Sequence, residues 1–265
     1  MHKSVKNLLY ILISIFISVN LVLITSAGQE ETKKIPVLTY HNIVQELGDE
    51  DPWLNVTPGQ FRLHLQALKE AGYETITFSD YYRYVTENSP LPDRPIIINF
   101  DDGYLSNYEY GFPILKEMNM KATIFIVTGT VGANYDWMFP HFTWQQALEM
   151  EQSGLVDIQS HTHTHSNLAD INDADMIKEL RLSKYLIEAN LNKECEFLAY
   201  PYGLFSEKSL YQAEAAGYKM QMLFENTGVN TKNTPLNQVK RLAVRGDFTK
   251  EELIDFIEEM MQYAD

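Results

Sequence analysis

The chain has 265 residues, 45% of them hydrophobic, a formal net charge of −15 and a single cysteine, Cys195. A surface of that sign repels polyanions, which argues against a nucleic-acid partner, and a lone cysteine excludes an intrachain disulfide, so stability has to come from a packed core. The first 27 residues hold Lys3, Lys6 and no acid; without them 238 residues remain at a net −17, enough for one large domain or barrel.

Taken in chain order, the N-terminus has two lysines, then 17 apolar residues from Leu8 to Ile24, then Thr25-Ser26-Ala27. This is the layout of a signal peptide cleaved after Ala27, or, because 17 residues are long for a signal core and short for a span, of a membrane anchor through residues 8–24. Either would deliver the protein outside the cytoplasm, secreted or anchored to the outer face of the membrane. A polar linker, residues 28–34, leads into the domain proper, residues 35–265.

Strand-like runs follow at Ile35–Tyr40, Glu74–Thr77, Ile96–Phe100, Ala122–Val127, Val156–Ser160, Phe197–Tyr200 and Lys219–Leu223, with a weaker one at Val239–Val244. Helices lie between them. Thr57-Pro58 predicts an N-cap and first-turn proline, with Phe61, Leu65 and Leu68 on one face until Gly72. Thr143 to Gln146 and Thr249 to Glu252 have capping-box spacing, and Ser206 and Gly217 bracket another helix. Strand–helix alternation over this length implies an α/β fold with a parallel sheet, closed into a barrel or doubly wound.

The chemistry-bearing residues cluster where those strands end. Asn99-Phe100-Asp101-Asp102-Gly103 closes one apolar run, and adjacent carboxylates at a buried strand exit need a cation or a proton between them. Ser160-His161-Thr162-His163-Thr164-His165 closes another, with His161 and His165 four apart. One Asp with two His would suit a divalent metal. Ala199-Tyr200-Pro201-Tyr202-Gly203 closes a third run. Ends of different strands converge on one mouth in a barrel, whereas an open sheet would spread them along a crevice.

These three motifs resemble those of the polysaccharide deacetylase family, the chitooligosaccharide-deacetylase-like carbohydrate esterases, and the resemblance runs from about Ile35 to the C-terminus. It implies a distorted (β/α) barrel of about seven parallel strands and a divalent metal, zinc first, with cobalt, nickel or iron as alternatives. By resemblance Asp102, His161 and His165 are the metal ligands, Asp101 is the general base, and the backbone N–H of Tyr202 is the oxyanion donor. Pro201 and Gly203 flank that donor on the substrate side.

Two departures stand out. Ala199 occupies the place of the family's third-motif Arg, and no His follows His165 to serve as the usual C-terminal acid. The deacetylases of poly-β-1,6-N-acetylglucosamine resemble this chain more closely, being permuted so that a Tyr-His near the start supplies the acid; Tyr40-His41 matches that pattern. Arg241 and Arg245 are candidate partners for Asp101, with a surface or salt-bridged role the alternative for each. Trp53 in the loop from Val44 to Val56, and Trp137 in that from Gly129 to Phe142, are candidate sugar platforms or packing residues. Trp144, at a helix start, is expected in the core.

The reading is a metal-dependent hydrolase removing N-acetyl groups from N-acetylglucosamine residues of an extracellular polysaccharide. Peptidoglycan, chitin oligomers and acetylxylan are alternative substrates. A glycan-binding pseudoenzyme is the alternative class, favoured by Ala199 and opposed by the retained Asp101.

Overall fold

The structure is a computed structural model that describes residues 32–47, 51–135, 139–224 and 228–264. The expected signal or anchor segment, most of the linker, and Trp137 lie outside the described residues. No described helix is long and apolar enough to cross a membrane.

Seven parallel strands form the main sheet: β1 (Val37–Tyr40), β5 (Pro95–Phe100), β6 (Ala122–Ile126), β7 (Val156–Ser160), β8 (Phe197–Ala199), β9 (Met220–Met222) and β10 (Leu242–Ala243). Their order is β10-β1-β5-β6-β7-β8-β9, and a short β4 (Glu74–Thr75) pairs with the start of β5. Closure comes through the weak last run that the sequence suggests. Val239 bridges Met222 of β9, while Leu242 and Ala243 pair with Leu38 and Thr39 of β1. One segment thus joins both ends of the sheet, giving the barrel that strand–helix alternation implies. Two two-residue strands, β2 (Asn42–Ile43) and β3 (Asn55–Val56), form a small parallel pair just beyond β1.

Strand alternation sorts the side chains into two cores. Val37, Ile97, Phe125, Phe197, Ala199, Met220, Met222 and Val239 form one cluster, inside the barrel. Leu38, Tyr40, Ile96, Ile98, Ile124, Ile158, Leu198 and Leu242 join the other, beneath the helices. The inward register carries on past the strand ends: residues 37, 39 and 41, residues 97, 99 and 101, and residues 157, 159 and 161 share one parity. That is why Asp101, His161 and His41 sit on the barrel side of their strands' continuations.

The helices are α1 (Pro58–Glu70), α2 (Phe78–Glu87), α3 (Phe112–Met118), α4 (Trp144–Gln152), α5 (Asp173–Leu191), α6 (Glu207–Ala215) and α7 (Lys250–Met260). Thr57 caps α1 by accepting the N–H of Gln60 at 3.1 Å, with Pro58 in its first turn. Thr143, Ser206 and Thr249 each close a capping box at the heads of α4, α6 and α7. Each removes orphan donors and fixes where the chain leaves its strand-to-helix loop. Trp144 is half-buried against the larger core rather than fully inside it.

Candidate active site

The mouth of the barrel gathers Asp101 and Asp102 from the end of β5 and His161 and His165 from the end of β7. His161 Nε2 lies 3.6 Å and His165 Nε2 3.4 Å from Asp102 Oδ1. One donor atom from each of Asp102, His161 and His165 falls within 4.8 Å of the others. A carboxylate oxygen and two imidazole nitrogens at that spacing can converge on one divalent cation. Further groups set the ring of His161: its Nδ1 lies 2.8 Å from the carbonyl oxygen of Ala199, leaving Nε2 to face Asp102. Burial pushes the pKa of His161 down and keeps it neutral, the form a metal requires.

The backbone reaches these positions through unfavourable conformations. Asp102, Thr162, His165 and Tyr202 all have positive φ, between 60° and 71°. Left-handed backbone at four non-glycine residues around one mouth is the kind of local strain that persists where the surroundings hold it for function. Ser160 Oγ accepts the N–H of Thr162, and Thr162 Oγ1 accepts that of His165, each at 3.2 Å.

Asp101 is treated differently from its neighbour. It is 2% exposed, and Arg241 Nη1 donates to its Oδ1 at 2.6 Å. Asn99 Nδ2 donates to the same oxygen at 3.2 Å, and Thr39 Oγ1 donates to Asn99 Oδ1 at 3.0 Å. Oδ2 is left facing His161 Nε2 at 3.8 Å. Burial works to raise this carboxyl's pKa, but Arg241, with His161 and His41, outweighs it and holds the group at about 2. Arg241 is itself 1% exposed, its Nε donating to Leu223 O at 2.8 Å. The guanidinium that Ala199 cannot provide therefore comes from the strand that closes the barrel. Arg245 does not reach Asp101: it forms a two-pronged pair with Asp247, at 2.9 and 2.6 Å, and lies over the Trp53 ring.

His41 follows β1 and borders a cavity of about 410 Å³ with Asp51, Trp53, Leu54, Phe224 and Ala243. Asn107 Nδ2 donates to its carbonyl oxygen at 2.8 Å, and its ring meets Phe224 edge-on. Its Nδ1 is buried with no hydrogen-bond partner among the described residues. A second cavity, of about 460 Å³, is lined by Asp102, Tyr104, Phe139, His141 and His165 among others, and Leu54 borders both. Trp53, 44% exposed, reaches the first cavity while its indole packs on Arg245.

Tyr202 sits in the one-turn helix Pro201–Gly203 after β8, with its ring exposed and edge-on to His165, 4.6 Å between centroids. Pro201 is buried. Gly203 has φ of 69°, and a Cβ there would come 2.6 Å from Phe224 Cβ, so only glycine lets this turn close against the loop after β9. Sequence reasoning missed the restraint from Asn99, whose only signal was that it replaces the family's Thr. It also missed Glu179, far along α5, which binds the loop between the two histidines.

A parallel barrel with paired carboxylates and two imidazoles at its mouth has the layout of a hydrolase. The polysaccharide deacetylase profile matches residues 88–221. YxkH of Bacillus subtilis, named for that family, is 30% identical over 231 residues, 87% of this chain and 78% of its own. The poly-β-1,6-N-acetyl-D-glucosamine N-deacetylase of Staphylococcus aureus strain MRSA252 is 30% identical over 201 residues, 73% of this chain and 69% of that one. Among solved structures, the Streptococcus pyogenes deacetylase PplD in complex with acetate superposes with a TM-score of 0.77 at 27% identity, covering 85% of this chain and 99% of that one. The chain belongs to the polysaccharide deacetylase family.

Proposed function

We propose that this protein is a metal-dependent deacetylase that hydrolyses the N-acetyl groups of N-acetylglucosamine residues in an extracellular polysaccharide of the poly-β-1,6 type. The observation that carries the proposal is the division of labour between two adjacent carboxylates. Asp102 faces two imidazoles, while Asp101 is tied through one oxygen to a buried arginine. The substrate class rests on the likeness to the staphylococcal enzyme and on His41 standing at the end of β1. Outside the cytoplasm is where such a polymer lies, in keeping with the leader reading of residues 1–27.

Asp102, His161 and His165 would hold the cation, zinc being the first choice for this donor set and cobalt, nickel or iron fitting it too. When bound, the ion supplies Lewis acidity that polarises an acetyl carbonyl and acidifies water. Asp101 Oδ2 is the free oxygen of an ionised carboxylate and takes the proton from the attacking water. Arg241 and Asn99 hold the other oxygen, so the base keeps one orientation. The Tyr202 N–H is the oxyanion donor, and a fixed backbone dipole there needs no reorganisation as charge develops. His41 protonates the departing nitrogen, and acetate and a free amine leave.

Asp101→Asn is expected to bind metal stoichiometrically and to lose about 10²-fold or more in turnover. Asp102→Asn should lose the metal. Metal analysis of the two purified variants checks this, and equal metal loss in both would contradict the division of roles.

A further inference from the structure

We propose that Glu179 is a positioning residue that sets the second imidazole of the metal site. The inference rests on the assignment of His161 and His165 as ligands. Glu179 lies on α5, 6% exposed, with its carboxylate turned into the loop between the two histidines. Its Oε2 accepts the backbone N–H of His163 at 2.9 Å and of Thr164 at 2.7 Å. Its Oε1 accepts the Thr164 hydroxyl at 2.7 Å. Three donors on one buried carboxylate form a charge-assisted anchor.

The anchor is placed where the loop most needs it. Thr162 and His165 both have left-handed backbone, a conformation that reverts unless neighbours over-determine it. The two residues between them, His163 and Thr164, are the ones Glu179 grips. The same helix meets the start of the loop, where Ser183 Oγ and Ser160 Oγ are 2.6 Å apart. On the far side, the N–H of Gly129 donates to His163 O at 2.8 Å. Helix α5 thereby fixes the path from His161 to His165, and so the distance at which both Nε2 atoms face Asp102.

A purely structural carboxylate would lower stability when removed without altering the affinity of the folded protein for metal. Zinc affinity, measured by competition with a chromophoric chelator, separates the two. Glu179→Ala is expected to weaken zinc about 10–100-fold, the range for groups that orient ligands from behind. Glu179→Gln, which keeps the shape and one acceptor oxygen, should recover most of the loss. Wild-type affinity in folded Glu179→Ala would overturn the proposal. Should that variant not fold, Thr164→Val and Glu179→Gln decide: a several-fold weakening supports the proposal, and wild-type affinity in both overturns it. Hydrogen exchange at the His163 and Thr164 amides, read in metal-free protein, should quicken in Glu179→Gln, and unchanged protection would count against the anchor. Failure of the wild type itself to bind zinc would contradict the metal-site assignment, a result distinct from failure of the anchor.

Discussion

At the scale of single residues, the contrast between Asp101 and Asp102 organises the site, and Arg241 creates it. A buried carboxylate without a cation would take up a proton and be useless as a base; with Arg241 at 2.6 Å it stays ionised. Arg241→Met should therefore cost about 3–5 kcal/mol in urea denaturation, the range for breaking a buried pair, and sharply reduce turnover. Because the folded carboxyl is held at about 2, below its unfolded value near 4, the pair's stabilisation is present above pH 4 and is lost as pH falls towards 2. The stability difference between metal-free wild type and Asp101→Asn should shrink over that interval, and a difference independent of pH would contradict the pairing. His41 carries the other half of the chemistry. His41→Ala should remove most turnover on an acetamide but far less on an activated aryl ester, whose leaving group needs little protonation. Equal losses on both substrates would argue against the acid role.

At the scale of elements, most of what positions the site was readable from sequence, because buried parallel strands are short apolar runs and helices announce themselves by caps. Thr57-Pro58, Thr143 to Gln146, Ser206 and Thr249 all cap helices in the structure. The gaps have physical causes. Strands β2 and β3 are two residues each, too short for any period to register. The choice between Arg241 and Arg245 depended on parity within a weak strand: position 241 faces inward beside Asp101, and position 245 lies beyond the strand end. Glu179 left no trace because its partners are backbone N–H groups on a separate loop. The β2–β3 pair also depends on a close backbone contact. A Cβ on Gly246 would sit 1.9 Å from Asn55 O, so Gly246→Ala must displace the segment that brings Trp53 and Leu54 to the mouth. We expect a stability loss of about 1–3 kcal/mol together with a raised KM for polymer; a fall in stability with KM unchanged would separate that segment from substrate binding.

At the scale of the whole molecule, the barrel explains how residues 41, 101, 161, 202 and 241 come to share one mouth. They leave different strands of one closed parallel sheet at its C-terminal end, where loops are free to vary and chemistry collects. The net charge of −15 suits a polymer that becomes cationic as its amines are freed. The most direct test of the account is acetate release from poly-β-1,6-N-acetylglucosamine, comparing chelator-stripped protein, the same protein reconstituted with one equivalent of zinc or cobalt, and reconstituted Asp101→Asn. The account predicts release only from the reconstituted wild type, at least about 10²-fold above the other two. Undiminished release by the stripped protein, or by Asp101→Asn, would contradict it.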